Sequence, residues 1–200
     1  MHIFIDTETT GLSPHKDEIV QLSFICTNDD LSPLVASNYY FSVDFMPEDA
    51  YNVHNLSITR LKYLSNGMKI GDSARDFMQY LNTPDAVFCG HNVQFDLNII
   101  MHNLDRCGYQ FTWNKTFDTM LSHTEILNLP RTSNSYDNGT THKYPKLSEV
   151  IDYYGLSHES IVQLASQIYK TDIGGNLHDA RVDSTACLLI YKKYLDSQQR

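Results

Sequence analysis

The chain has 200 residues and a formal net charge of −9, with 15 Lys and Arg against 24 Asp and Glu, and 42% of it is hydrophobic. That size and composition predict one soluble globular domain over residues 1–200 with a substantial core. No apolar run approaches the roughly 20 residues that span a bilayer, and the acidic balance argues against a protein that grips long duplex DNA through phosphate neutralisation alone. The N-terminus lacks a basic segment followed by a long apolar stretch, so no secretory signal is predicted. Cys26, Cys89, Cys107 and Cys187 are scattered singly. Without a C-x-x-C pair they predict neither a zinc site nor a disulfide framework, and a reducing cytoplasm suits them.

In chain order, Ile3-Phe4-Ile5 predicts a buried first strand, 18–27 a second and 38–44 a third, with turns at Pro14, Asn28-Asp29-Asp30 and Pro33. Helical spacing begins after Ser57, with Leu61 and Leu64, and continues over 73–81, where Phe77 and Leu81 lie four apart. A short strand is predicted at 86–90, a helix from Val93 to Cys107 stopped by Gly108, and a helix over 117–127 with Asp118 near its start. Residues 130–145 are polar and predict a mobile functional loop. Leu147, Val150, Ile151 and Tyr154 predict a helix closed by Gly155, and two further helices follow near 159–169 and 177–195. There is no internal repeat. The pattern predicts an α/β or α+β domain with a mixed sheet flanked by helices.

Asp6 and Glu8 follow the first strand at a spacing of two, and side chains at i and i+2 of a strand share a face. Two like charges held so close each resist ionising unless a cation lies between them. Oxygen ligands favour hard divalent ions such as Mg²⁺ or Mn²⁺; a merely acidic loop is the alternative. Asp96 falls about one turn into the helix after Gly90-His91-Asn92. Read alone, it fits compensation of the helix dipole equally well, worth about 0.3–1 kcal/mol. His178 and Asp183 flank the start of the last helix. Five residues apart, they diverge by about 140° on an ideal helix. They can meet only if His178 lies at or before the helix start, on an approach loosened by Gly174-Gly175; a structural His is the alternative.

Taken together, D-x-E on a first strand (Asp6, Glu8), Asp96 after N-x-x-F (Asn92, Phe95) and H-x-x-x-x-D (His178, Asp183) form a pattern that resembles the DEDDh 3′→5′ exonucleases. That DnaQ-like family includes the proofreading epsilon subunit of bacterial replicative polymerase, ribonuclease T and oligoribonuclease. The resemblance covers nearly the whole chain. Residues 4–12 match the first motif closely, Val53-His54-Asn55-Leu56-Ser57 resembles a V-H-G-I-T segment, and Phe117-Asp118-Thr119 resembles a helix start. Asn55 replaces a Gly, and Asn also tolerates a left-handed backbone. The loop at 130–145 and the stretch 157–176 are longer than compact members need.

The resemblance implies a ribonuclease H-like fold and hydrolysis of phosphodiesters with two divalent ions, Mg²⁺ or Mn²⁺, about 3.5–4 Å apart. Asp6 would bridge them, Glu8 and Asp183 would bind the first and Asp96 would support the second through water. His178 would be the general base, a role for which the ordinary histidine pKa near 6.5 is suited. Thr7, Thr9, Thr10, Gly11, Leu12, Val53, His54, Leu56, Asn92 and Phe95 would hold the terminal nucleotide. The implied substrates are 3′ ends of single-stranded DNA or RNA, undivided by sugar. A DNA polymerase is a candidate partner, no membrane is implied, and the sequence leaves the oligomeric state open. The alternative is a catalytically silent subunit of the same fold that binds a polymerase or helicase.

Overall fold

In the computed structural model, residues 1–131, 141–174 and 178–198 are described. Ile3, Phe4 and Ile5 are fully buried, so the strand they open, β1 (His2–Thr9), is covered on both faces. β1 pairs antiparallel with β2 (Ile19–Thr27), and β2 antiparallel with the edge strand β3 (Pro33–Tyr40). On its other side β1 pairs parallel with β4 (Val87–Gly90), and β4 pairs parallel with β5 (Lys115–Asp118). The sheet order is β3-β2-β1-β4-β5. The helices are α1 (Glu48–His54), α2 (Ile58–Leu64), α3 (Ile70–Leu81), α4 (Val93–Asp105), α5 (Thr119–Leu127), α6 (Leu147–Tyr153), α7 (His158–Tyr169) and α8 (Ala180–Gln198). Among the described residues no helix is long and apolar enough to cross a membrane.

Alternation along β1 sets the two layers. Ile3 and Ile5 pack with Leu22, Phe24, Phe77, Leu97 and Ile100, the core beneath α3 and α4. Phe4 packs on the opposite face with Ile25, Cys89, Cys187 and Leu188, beneath α8. Continuing the same period, Thr7 faces the α4 layer, whereas Asp6 and Glu8 face α8. Cys26, Cys89 and Cys187 are buried and Cys107 is exposed, all as free thiols.

Four sequence expectations need correction or extension. The third strand is Pro33–Tyr40 rather than 38–44, because the chain leaves the sheet after Tyr40 and turns toward α3, with the Ser42 amide donating to the Met68 carbonyl at 2.7 Å. Phe117 belongs to a four-residue parallel strand and not to a helix, packing on Tyr191 and Tyr194, and the helix begins at Thr119. α1 was not foreseen; it ends on Asn55 in the left-handed conformation, φ +62°, the backbone that residue was expected to tolerate. The last helix starts at Ala180 rather than 177. The expected mobility of 130–145 falls mostly outside the described residues; its ends are joined by a Pro130–His142 bridge.

Gly90 decides how close β4 and α4 come to β1. A Cβ there would lie 2.9 Å from the Ile5 carbonyl oxygen and 3.1 Å from the Val93 side chain. Gly90→Ala therefore forces the β4–α4 turn away from the strand, and destabilisation of about 1–3 kcal/mol is expected, the range for overpacking. Urea unfolding measures this, and an unchanged midpoint would show that the turn yields freely.

Candidate active site

β1 delivers Asp6 and Glu8 to one face, and α8 brings Asp183 to them from its first turn. His178 precedes the helix, in the left-handed region at φ +64°. Placed outside the helix, it meets Asp183: ligand atoms of Glu8, His178 and Asp183 lie within 4.8 Å of one another. Of the proposed Gly-Gly approach to His178, Gly174 is described and Gly175 lies outside the described residues.

Asp96 comes from the other layer. Asn92, at φ +62°, turns the chain into α4, and its amide donates to Asp118 Oδ1 at 3.0 Å, an oxygen that also caps α5 by accepting from the amides of Met120 and Leu121. Asp96 then lies in the first turn of α4, and its Oδ1 accepts from the Thr7 amide at 2.9 Å and the Thr7 hydroxyl at 2.7 Å. Thr7 can reach it because strand alternation turns Thr7 toward α4. One Asp96 oxygen is thus committed to β1 and the other is left for a ligand.

These carboxylates are costly to ionise together. Burial raises Asp6 well above the usual range, reinforced by Asp96, Asp183 and Glu8; burial and the charge on Asp183 do the same to Glu8. Burial lifts Asp96 to about 7 against the lowering effect of the Thr7 hydrogen bonds, and burial followed by the charge of Asp179 lifts Asp183 to about 7. Among the described residues none of the four forms an ion pair with Lys or Arg. Arg181 is close, but it is paired with Asp179, which it helps to hold below its ordinary pKa. Buried oxygen ligands with no cation of the protein's own fit hard divalent ions.

Beside Glu8 opens a cavity of about 630 Å³ lined by Thr7, Thr9, Thr10, Gly11, Leu12, Val53, His54 and Phe95 among others. Leu12 is 86% exposed and Val53 52%. His54 is buried, its Nδ1 accepting from the Leu56 amide at 3.1 Å while Nε2 has no hydrogen-bond partner among the described residues. Two expected contact residues are not on the wall. Leu56 is buried against Val20, Val43 and Leu61, and Asn92 serves the start of α4. The wall also includes Asp17, Pro47, Asp49 and Ala50, which no sequence motif singled out. Asp17 ties down the loop after β1, accepting from the Ser13 amide at 2.7 Å and the Thr10 hydroxyl at 3.3 Å. Gly11 is required there, since a Cβ would come within 2.6 Å of the Asp17 carboxylate.

Comparison with known proteins bears on the family and the fold. The RNase_T family model, described as exonuclease, matches residues 3–191. The chain is 33% identical over 106 residues to DNA polymerase III subunit epsilon of Rickettsia felis, covering 51% of this chain and 43% of that protein. It is 30% identical over 119 residues to the PolC-type DNA polymerase III of Latilactobacillus sakei, covering 60% of this chain and 8% of that one. It is also 29% identical over 118 residues to the 3′-5′ exonuclease DinG of Staphylococcus epidermidis, with 58% and 12% covered. The chain therefore spans less than half the length of these relatives. Among solved structures, E. coli Exonuclease I in complex with a dT13 oligonucleotide superposes with a TM-score of 0.76 at 18% identity, over 100% of this chain and 42% of that one. The fold is thus the ribonuclease H-like mixed sheet flanked by helices, and the chain belongs to the DnaQ-like exonuclease family.

Proposed function

We propose that this protein is a divalent-metal-dependent 3′→5′ exonuclease of the DEDDh type that releases 5′-mononucleotides from single-stranded ends, with residues 1–200 as its single catalytic domain. The observation that carries the reading is the convergence of carboxylates from β1, α4 and α8, with His178 joining Glu8 and Asp183, while Glu8 also lines the adjoining cavity and His178 and Asp183 line a second one with Leu147 and Ile151. Asp6, Glu8, Asp96 and Asp183 would hold two Mg²⁺ or Mn²⁺ ions. Bound there, the metals supply an activated water and neutralise charge on the scissile phosphate. His178, beside Glu8 and Asp183, takes the proton from the attacking water. Thr7 keeps Asp96 aimed. The names of two relatives make a DNA polymerase the candidate protein partner, and four free thiols suit a reducing cytoplasm.

End specificity follows from the cavity wall. The terminal base would rest against Leu12, Val53 and Phe95, apolar contact that reads no sequence. The same wall carries Asp17 and Asp49, negative charges that would disfavour a further phosphate in the cavity. A chain end with a free 3′-hydroxyl fits; a strand that continues does not.

The metal should act on stability as well as rate. Asp96 and Asp183 hold protons up to about pH 7 in the folded state, against an ordinary value of 3.8. A raised pKa stabilises below the unfolded value and that contribution is lost as pH rises through the folded value. Their contribution therefore declines between about pH 4 and 7. His54, His91 and His123, whose pKa values burial lowers, act in the opposite sense below pH 6.5. The clean measure is the difference in melting temperature between Mn²⁺ and EDTA. It should be small at pH 5, where protons compete for the carboxylates, and largest above pH 7.5. Saturation at about 100 times the dissociation constant would add roughly 2.7 kcal/mol. Superimposable melts at pH 8 would defeat the metal site.

Substitutions separate the roles. Asp6→Asn should abolish turnover, and His178→Ala should lower kcat by about 10²–10⁴-fold, the range for a lost general base, with folding intact by circular dichroism. Wild-type turnover in His178→Ala would return that residue to a structural role.

Polarity is read on matched DNA and RNA oligonucleotides labelled at the 5′ end. A ladder shortening from the 3′ end, blocked by a 3′-phosphate, is expected, and Leu12→Ala should raise KM more than it lowers kcat. Cuts within a circular strand, or release from the 5′ end, would refute the assignment.

A further inference from the structure

Gln21 interrupts the apolar run of β2 and is only 1% exposed. Its cross-strand partner on β1 is Glu8, immediately before the register shift at Thr9. Directly opposed residues share a face, so Gln21 points toward the start of α8. There its side-chain nitrogen donates to Asp179 Oδ1 at 3.0 Å and to Asn38 Oδ1 at 2.8 Å. Its oxygen accepts from the Ala180 amide at 3.4 Å. The guanidinium of Arg181 also grips Asp179, donating to the same Oδ1 and to Oδ2, and Asn38 also accepts from the Ser23 hydroxyl. A buried carboxamide with both ends engaged is part of a satisfied network, which rigidifies what it joins.

What it joins to β2 is the pair of residues that follow one strained residue. His178, just ahead of Asp179, has φ +64°. A side chain other than Gly holds such a conformation at a cost, and keeps it only where the surroundings over-determine it. The bonds from Gln21 to Asp179 and Ala180 supply that fixation from the sheet. Gln21 does not line the nucleotide cavity and is not in the cluster of ligand atoms formed by Glu8, His178 and Asp183.

We infer that Gln21 is a positioning residue: by docking Asp179 and Ala180 onto β2 it fixes the backbone of His178 and aims the imidazole at the space between Glu8 and Asp183. The inference rests on the nuclease reading above and adds to it a residue that acts only through His178.

Gln21→Leu removes both kinds of hydrogen bond at nearly constant volume. On a 5′-labelled single strand with Mn²⁺, kcat should fall about 10–100-fold, in keeping with the cost of a displacement near 1 Å, while KM stays within about twofold. Added to His178→Ala, the same substitution should cost no further activity, because the group it positions is gone. Gln21→Met, flexible and similar in size, takes its place in the same cycle if the leucine variant melts below the assay temperature. Losses that multiply in the double variant, or a change confined to KM, would overturn the role given to Gln21 while leaving the nuclease reading in place. A wild-type protein inactive on every strand would instead defeat both.

Discussion

Like charges drawn together out of water are the constraint on which this molecule is built. Asp6, Glu8, Asp96 and Asp183 raise one another's pKa values or are raised by burial, and among the described residues no Lys or Arg pairs with them. Such a cluster opposes folding, so the rest of the chain must hold it in place. The apolar start of β1 does much of that work. Ile3, Phe4 and Ile5 are fully buried between two helical layers, and fully burying side chains of this kind gains about 1.5–3 kcal/mol each. The strand is anchored by its first half so that its second half can carry charge.

The protein satisfies these carboxylates selectively. Asp96 receives two hydrogen bonds from Thr7, both to one oxygen. Asp118 is used up in capping α5 and steadying Asn92. Asp179 takes Arg181 and Gln21. The acidic groups around the site thus divide into those that organise the backbone, with neutral donors or an arginine, and those left with open lone pairs. Had Arg181 reached Asp183 instead, a guanidinium would occupy the place a metal needs, and no charge could be supplied to a substrate. Among the described residues the four have no Lys or Arg partner, which forgoes stability in the metal-free protein and, on the nuclease reading, would keep the ligands available.

Much of this was legible in the sequence because it depends on local periodicity. The i, i+2 spacing of Asp6 and Glu8 fixes their common face, and the angular mismatch of His178 and Asp183 required His178 to stand outside the helix, where it is found at φ +64°. What was not legible depends on long-range pairing. Strand β5 is only four residues long, and its β character comes from its parallel partner rather than from its own sequence, so Phe117 read as helical. Helix α1 has seven residues, too few for an apolar period to stand out. The cavity wall at Asp17 and Asp49 depends on where two loops meet. Gln21 carried a signal that could have been used: a carboxamide inside a largely apolar strand must find partners when buried. Sequence alone did not say that the partner would be Asp179, 158 positions away.

The same division explains how a chain of net charge −9 could handle an anionic polymer. Its own surface offers little long-range attraction to phosphates, so affinity has to come from short-range terms confined to the site: bound cations and apolar contact with a terminal base. Both act over one or two nucleotides. On the proposed nuclease reading such a site would gain nothing from the distant parts of a strand, and the acidic residues Asp17 and Asp49 on the wall would penalise a strand that continued through the cavity. Preference for an end then needs no separate recognition element, because the charge distribution makes the end the part of the polymer that fits at least electrostatic cost.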